Sequence, residues 1–129
     1  MELSSDDPNG QVVLRFMAGT ASGDLDSVAA LVHDDFVMEW PQSGERFSGR
    51  DNAFGAMRTQ QEKPEIAGEP RLVGSGNTWV LMMPLRYGEQ VLRYIAVLEL
   101  EDGKIRHATG HWAPPFPAQE YRAEFADRR

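Results

Sequence analysis

Apolar positions recur at two different periods along this 129-residue chain, and the change from one to the other divides it. Near the start, Val12, Val13, Phe16, Met17 and Thr20 fall on one side of a helical repeat, and Pro8 suits a first helical turn. Gly19, Ser22 and Gly23 weaken and then end that helix. Asp24 reads as the N-cap of a second helix, with Leu25, Val28, Ala29, Leu31 and Val32 as its apolar stripe and a break at His33-Asp34-Asp35. The adjacent acids Asp34 and Asp35 are expected to be solvated turn residues. Residues 36–40 form a short strand stopped by Pro41. Gln42 to Arg46 has turn composition, and Phe47-Ser48-Gly49-Arg50 leads into a third helix over 51–61, with Phe54 and Met57 on one side. Pro64, Gly68 and Pro70 mark a loop.

From residue 71 onward the pattern is that of strands. Segments 71–75, 78–87, 90–101 and 104–113 are separated by Gly76-Asn77, Gly88-Glu89 and Asp102-Gly103, the last a strong two-residue hairpin signal. Pro114, Pro115 and Pro117 end the sheet, leaving 114–129 as a polar and aromatic tail. Helices gathered ahead of an antiparallel meander predict one α+β domain over 1–129, with residues 1–7 as a flexible leader.

The later strands do not alternate between apolar and polar. Leu92, Tyr94, Ala96, Leu98 and Leu100 share one face, yet Val91, Ile95 and Val97 share the other. The preceding strand sets Trp79, Leu81, Met83 and Leu85 against Val80, Met82 and Pro84. A sheet with one wet face shows polar residues at every second position, so both faces here call for cover. One receives the helices. The other is expected to pair two copies of the chain in a homodimer, with cover by the chain's own tail as the alternative.

Composition narrows the partners. Thirteen basic against twenty acidic residues give a formal charge of −7, which disfavours nucleic acid and anionic membranes, since both need a basic face. The chain has no cysteine and hence no disulfide, thiol nucleophile or thiolate metal site. Met1 to Asp7 is acidic, unlike a secretory signal, and no apolar run approaches the roughly 20 residues that span a bilayer. A cytoplasmic location is the expectation.

Gly23-Asp24-Leu25-Asp26, followed by Leu31-Val32-His33-Asp34-Asp35-Phe36, Trp40-Pro41 and Phe47-Ser48-Gly49-Arg50, resembles the nuclear transport factor 2-like superfamily. The hairpin Glu101-Asp102-Gly103-Lys104-Ile105 and the tail Trp112-Ala113-Pro114-Pro115-Phe116-Pro117, with Tyr121-Arg122, are similar to its SnoaL-like members. The resemblance implies a cone: a curved sheet wrapped round a long first helix, with a mouth that admits a small molecule and frequent dimerisation across the outer sheet face. Known relatives include ketosteroid isomerases, polyketide cyclases, scytalone dehydratase and limonene epoxide hydrolase, and others are interaction modules, so the fold alone names no activity. Ketosteroid isomerases use an Asp base and an oxyanion hole of Tyr and protonated acid. Matched position by position, the base falls on Trp40, the Tyr on Phe16 and the acid near Ala96. None of these can perform the role. An epoxide-hydrolase set of Asp, Arg and Asp finds no inward positions.

Strand alternation from an inward Trp40 also turns Phe36 and Met38 inward. The same matching turns Ala108, Gly110 and Trp112 inward, joined by Tyr94, Leu98, Phe16 and Met57. Phe16, Met38, Trp40, Met57, Tyr94, Leu98 and Trp112 are thus the candidate binding residues, suited to an apolar or planar ligand or else simply filling the cone as core. His107 and His111 then face outward, although a one-residue shift of register would reverse them. Lying roughly 13 Å apart along a strand, they do not make a metal pair, and no metal or other cofactor is expected. His33 reads as a helix-terminus charge, and Glu39, opposite Trp40, as the partner of Arg86 or Arg93. No nucleophile–base pair or phosphate loop is present. The leading expectation is a small hydrophobic molecule in the cone, bound or processed by an isomerase, cyclase or dehydratase of secondary metabolism. The alternative is a non-catalytic dimeric interaction module with a filled cone.

Overall fold

A computed structural model describes residues 5–60 and 62–127. Part of the expected leader, residues 1–4, and the last two residues of the tail lie outside the described residues. Helix α1 (Pro8–Ser22) begins where the Asp7 carboxylate accepts from the Asn9 N–H at 2.8 Å. It ends at Gly23, left-handed at φ 81°, whose N–H reaches the Gly19 and Thr20 carbonyls. Asp7 therefore belongs to the helix cap rather than to a loose leader.

Helix α2 (Leu25–Ala29) is capped by Asp24, which accepts from the Ser27 N–H. It is a turn shorter than its apolar stripe implies. Leu31 and Val32 leave the helix because the last strand captures them: the Leu31 carbonyl accepts from the Ile105 N–H at 2.9 Å, and Val32 pairs with Ile105. Strand β1 (Val32–Trp40) thus starts four residues earlier than expected. The histidine and acids expected at a helix end and turn are instead strand residues. His33 Nε2 lies 2.6 Å from the Glu101 carbonyl, Asp34 pairs with Arg50 at 3.1 Å and Asp35 with Arg106 at 2.9 Å.

Pro41 to Gly44 turns the chain into β2 (Glu45–Ser48), a strand that the turn composition conceals. Helix α3 (Arg50–Arg58) follows Gly49, at φ 91°, whose N–H donates to the Phe36 carbonyl at 2.8 Å. It buries Ala53 and Phe54 and stops at Arg58, short of the expected Gln61. The Thr59 hydroxyl donates to the Ala56 carbonyl at 2.6 Å, competing with the helical ladder.

Strands β3 (Glu65–Ile66) and β4 (Arg71–Ser75) lie end to end along the free edge of β5 (Thr78–Tyr87). Strands β6 (Gln90–Glu101) and β7 (Lys104–Ala113) complete the meander, with bounds for β4 to β7 that match the sequence pattern. The seven-stranded sheet runs β2-β1-β7-β6-β5, antiparallel except where β1 meets β7. Asp102 (φ 54°) and Gly103 (φ 78°) make the β6–β7 turn, whose two positive φ values are those of a type I′ hairpin. The architecture is α+β, with three helices on the inner face of a curved, mainly antiparallel sheet.

One irregularity decides which β7 side chains look inward. Glu99 pairs with His107 but Leu100 with Ile105, so Arg106 is an extra residue bulged from β7. Ile105 and Ala108, three apart, are both buried, and His107 between them faces out. The core under the helices is Phe16, Phe36 and Phe54 in edge-on contact, with Val13, Val28, Val32, Leu98 and Ile105. Beyond the sheet a 3-10 helix (Glu120–Phe125) leaves Phe116, Tyr121 and Phe125 at least three-quarters exposed, so the tail does not cover the outer face. No helix among the described residues is long and apolar enough to cross a membrane.

Candidate functional site

The inner face of the sheet is built in rows. Met83, Tyr94 and Trp112 pair across β5, β6 and β7 nearest the open end, then Leu81, Ala96 and Gly110, then Trp79, Leu98 and Ala108, with Met38 of β1 beside Ala108. Small residues in the middle row and the row beneath it are the physical origin of a void. Ala96, Gly110 and Ala108 are too small to meet the helices opposite, so a cavity of about 290 Å³ remains between the sheet, α1 and α3. All seven candidate residues, Phe16, Met38, Trp40, Met57, Tyr94, Leu98 and Trp112, lie on its wall. Phe36, also inward, belongs to the core beneath.

The aromatic end of the wall is a connected unit. Trp40 stands edge-on to Phe47 at 4.7 Å and to Trp112 at 5.3 Å between ring centroids, and Trp112 leans on Tyr94 at 5.1 Å. Each contact has the offset or edge geometry that aromatic quadrupoles favour. Two polar residues fix Trp112. Its indole N–H donates to the Tyr87 hydroxyl at 3.1 Å, and Gln42 grips its backbone, accepting from the N–H at 2.5 Å and donating to the carbonyl at 2.6 Å. Gln42 is invisible as a site residue in sequence, being one polar residue in a turn. Tyr87 was within reach, because it shares the inward face of β5 with Met83 and Leu85.

Tyr94 is a polar residue in the aromatic row of the cavity wall, beside Trp112 and Met83. Burial pushes its hydroxyl up from 10.0 to about 12, with nearby Tyr87 adding to the shift, so it is a donor and not a base near neutrality. Among the described residues no hydrogen-bond partner faces that hydroxyl. Arg58 at the end of α3 and Lys63 after it line the mouth, together with Thr20 and Gln60. No carboxylate lines the cavity among the described residues, and neither does a histidine.

The histidines sit elsewhere. His107 faces out between two acids, with Nδ1 2.9 Å from Glu99 and Nε2 3.3 Å from Glu39. Neither contact is aligned as a hydrogen bond, and Nδ1 is buried without a hydrogen-bond partner among the described residues. Glu39 takes its salt bridge from Arg46 at 2.8 Å, its direct partner on β2, and not from Arg86 or Arg93. Arg86 pairs with Glu65 instead, at 4.0 Å. Among the described residues no group of three His, Asp or Glu side chains is placed to hold a metal ion.

This small-molecule-sized cavity, opened by three small residues inside a helix-filled cone, agrees with the family whose sequence model, the SnoaL-like domain, matches residues 13–108. The chain belongs to the SnoaL-like family. Among solved structures it is similar to a nuclear transport factor 2-like protein of unknown function from Burkholderia xenovorans. The two are 28% identical with a TM-score of 0.80, over 95% of each chain. A candidate ketosteroid isomerase from Kribbella flavida superposes with a TM-score of 0.87 at 20% identity, over 95% of this chain and 90% of that one. A candidate polyketide cyclase from Xanthomonas campestris gives 0.71 at 16% identity, over 81% and 89%. The last two likenesses are of fold alone. No match is found among curated proteins. Phe16, Trp40 and Ala96, on or near which the sequence resemblance sets the isomerase acid–base residues, all line this cavity, and none of these side chains can transfer a proton.

Proposed function

We propose that this SnoaL-like protein binds a small hydrophobic molecule in the cone, with its apolar body against Trp40, Tyr94 and Trp112 and an acceptor oxygen on the Tyr94 hydroxyl. The observation that carries this reading is the void itself. Trp40 and Trp112 do pack together, as a filled cone requires, yet about 290 Å³ is left beside them. That is close to the lower end of the range for ligand sites and speaks against a purely structural cone. The Tyr94 hydroxyl, which has no protein hydrogen-bond partner among the described residues, is free to meet an acceptor on the ligand.

Binding is better supported than catalysis. An isomerase, cyclase or dehydratase acting here would have the phenols Tyr94 and Tyr87 as inward proton donors and, among the described residues, no inward carboxylate or histidine as base, so it would work by folding and holding a reactive substrate. The experiment is a thermal-shift screen of polycyclic and terpenoid compounds against the wild type and Ala96→Leu, which fills the middle row of the wall. A ligand raises the wild-type melting temperature by mass action, and Ala96→Leu abolishes the rise while remaining folded. No rise with any apolar compound, or an equal rise in both proteins, would sink the reading.

A further inference from the structure

The cavity has a polarity along its length that the binding proposal does not use. Its body is apolar and aromatic, but the two ionisable side chains at its mouth are both cations. Arg58 closes α3 and Lys63 follows in the loop, and no acid joins them on the wall among the described residues. Chance favours the opposite, since acids outnumber bases twenty to thirteen in this chain. Among the described residues neither cation is strongly engaged elsewhere. Arg58 reaches only Asp26, at 3.9 Å, through a carboxylate that is fully exposed and therefore well solvated. Lys63 holds its ammonium over Gly23, where a Cβ would approach Nζ to 2.9 Å. That is the C-terminal end of α1, whose last turn carries no basic residue of its own, so the negative end of the helix draws the ammonium to the rim.

We infer that the ligand is an apolar organic acid, its ring system inside the cone and its carboxylate at the mouth between Arg58 and Lys63. This rests on the apolar-cavity reading above and specifies its ligand. The chain's net charge of −7 repels such an anion over most of the surface, so the basic mouth is where it can approach. Orientation follows from chemistry: the two cations hold the anionic group at the mouth, and the aromatic wall takes the ring system.

Matched probes separate this inference from the reading beneath it. 2-Naphthoate, 2-naphthamide and naphthalene share one ring system and differ in charge, and each is titrated by calorimetry at low and high salt. The acid is expected to bind about tenfold tighter than the amide at low salt, the scale of two partly solvated ion pairs, with the advantage shrinking at high salt. In Arg58→Gln/Lys63→Gln the advantage disappears while affinity for naphthalene is unchanged, a result that a misfolded variant cannot give. Amide or naphthalene binding as tightly as the acid in the wild type overturns the inference and leaves the apolar cavity standing. If the acid's advantage survives in the double variant, the basic mouth is not its source and the inference likewise falls. Failure of all three probes to bind removes both.

Discussion

Moving the Tyr94 hydroxyl from water into the cavity penalises the phenolate, and the neighbouring Tyr87 adds to the effect, so the folded-state pKa stands at about 12 against 10.0. The protonated form is therefore the one that folding favours. A raised pKa contributes stability that is present in full below pH 10 and is lost as the pH climbs from 10 towards 12. Tyr94→Phe has no such proton to lose. The difference in urea midpoint between wild type and Tyr94→Phe should shift against the wild type from about pH 9 to about pH 11.5. A constant difference would mean that Tyr94 titrates as it does in the unfolded chain. The same burial explains why Tyr94 serves as a donor at neutral pH.

At the scale of elements, the corner between α1 and α2 depends on one missing side chain. A Cβ on Gly19 would collide with Cγ1 of Val28, which is itself buried and has nowhere to go. Gly19→Ala is expected to destabilise by about 1–3 kcal/mol through overpacking, although alanine is by about 1 kcal/mol the better helix former. Gly55→Ala in α3, where nothing lies within 4 Å, should be neutral or stabilise by up to about 1 kcal/mol. Urea denaturation of both variants checks the pair, and a stable Gly19→Ala would deny the close contact. The contrast also marks what the sequence could and could not disclose. Strands β4 to β7 were legible because glycine turns bound them and runs rich in β-branched and aromatic residues fill the intervals. The end of α2 was not, since Leu31 and Val32 continue a helical stripe and only pairing with Ile105 of β7 draws them into β1. Arg106 is the harder case. Its bulge sets whether His107 or Ile105 looks inward, and nothing in Ile105-Arg106-His107-Ala108 announces the extra residue. The cavity wall was readable from alternation, but Arg58 and Lys63 reach it from a helix end and a loop, and Gln42 grips Trp112 from a turn, where periodicity carries no directional information.

For the whole molecule, the unresolved account is the outer sheet face. Val80 and Met82 of β5, Ile95 and Val97 of β6 and Val73 of β4 form a contiguous apolar surface, with Val73 40% and Val91 38% exposed. The tail leaves that surface uncovered, since its own aromatic residues point to solvent. A contiguous patch of this kind is uncommon on a protein that stays monomeric. Two such faces packed about a two-fold axis bury each other's valines without asking any new side chain to be complementary. The acids Glu99 and Glu39 lie with His107 along one margin of the patch. We propose that the protein is a dimer through this face, and expect light scattering behind gel filtration to give twice the chain mass. Val97→Glu puts a carboxylate at the centre of each copy's patch, opposite its counterpart, and should yield a folded monomer whose affinity for the naphthyl probes is unchanged because the cavity lies on the other side of the sheet. A monomeric wild type would refute the dimer, and a Val97→Glu protein that remains dimeric would move the interface elsewhere, to the exposed aromatic tail.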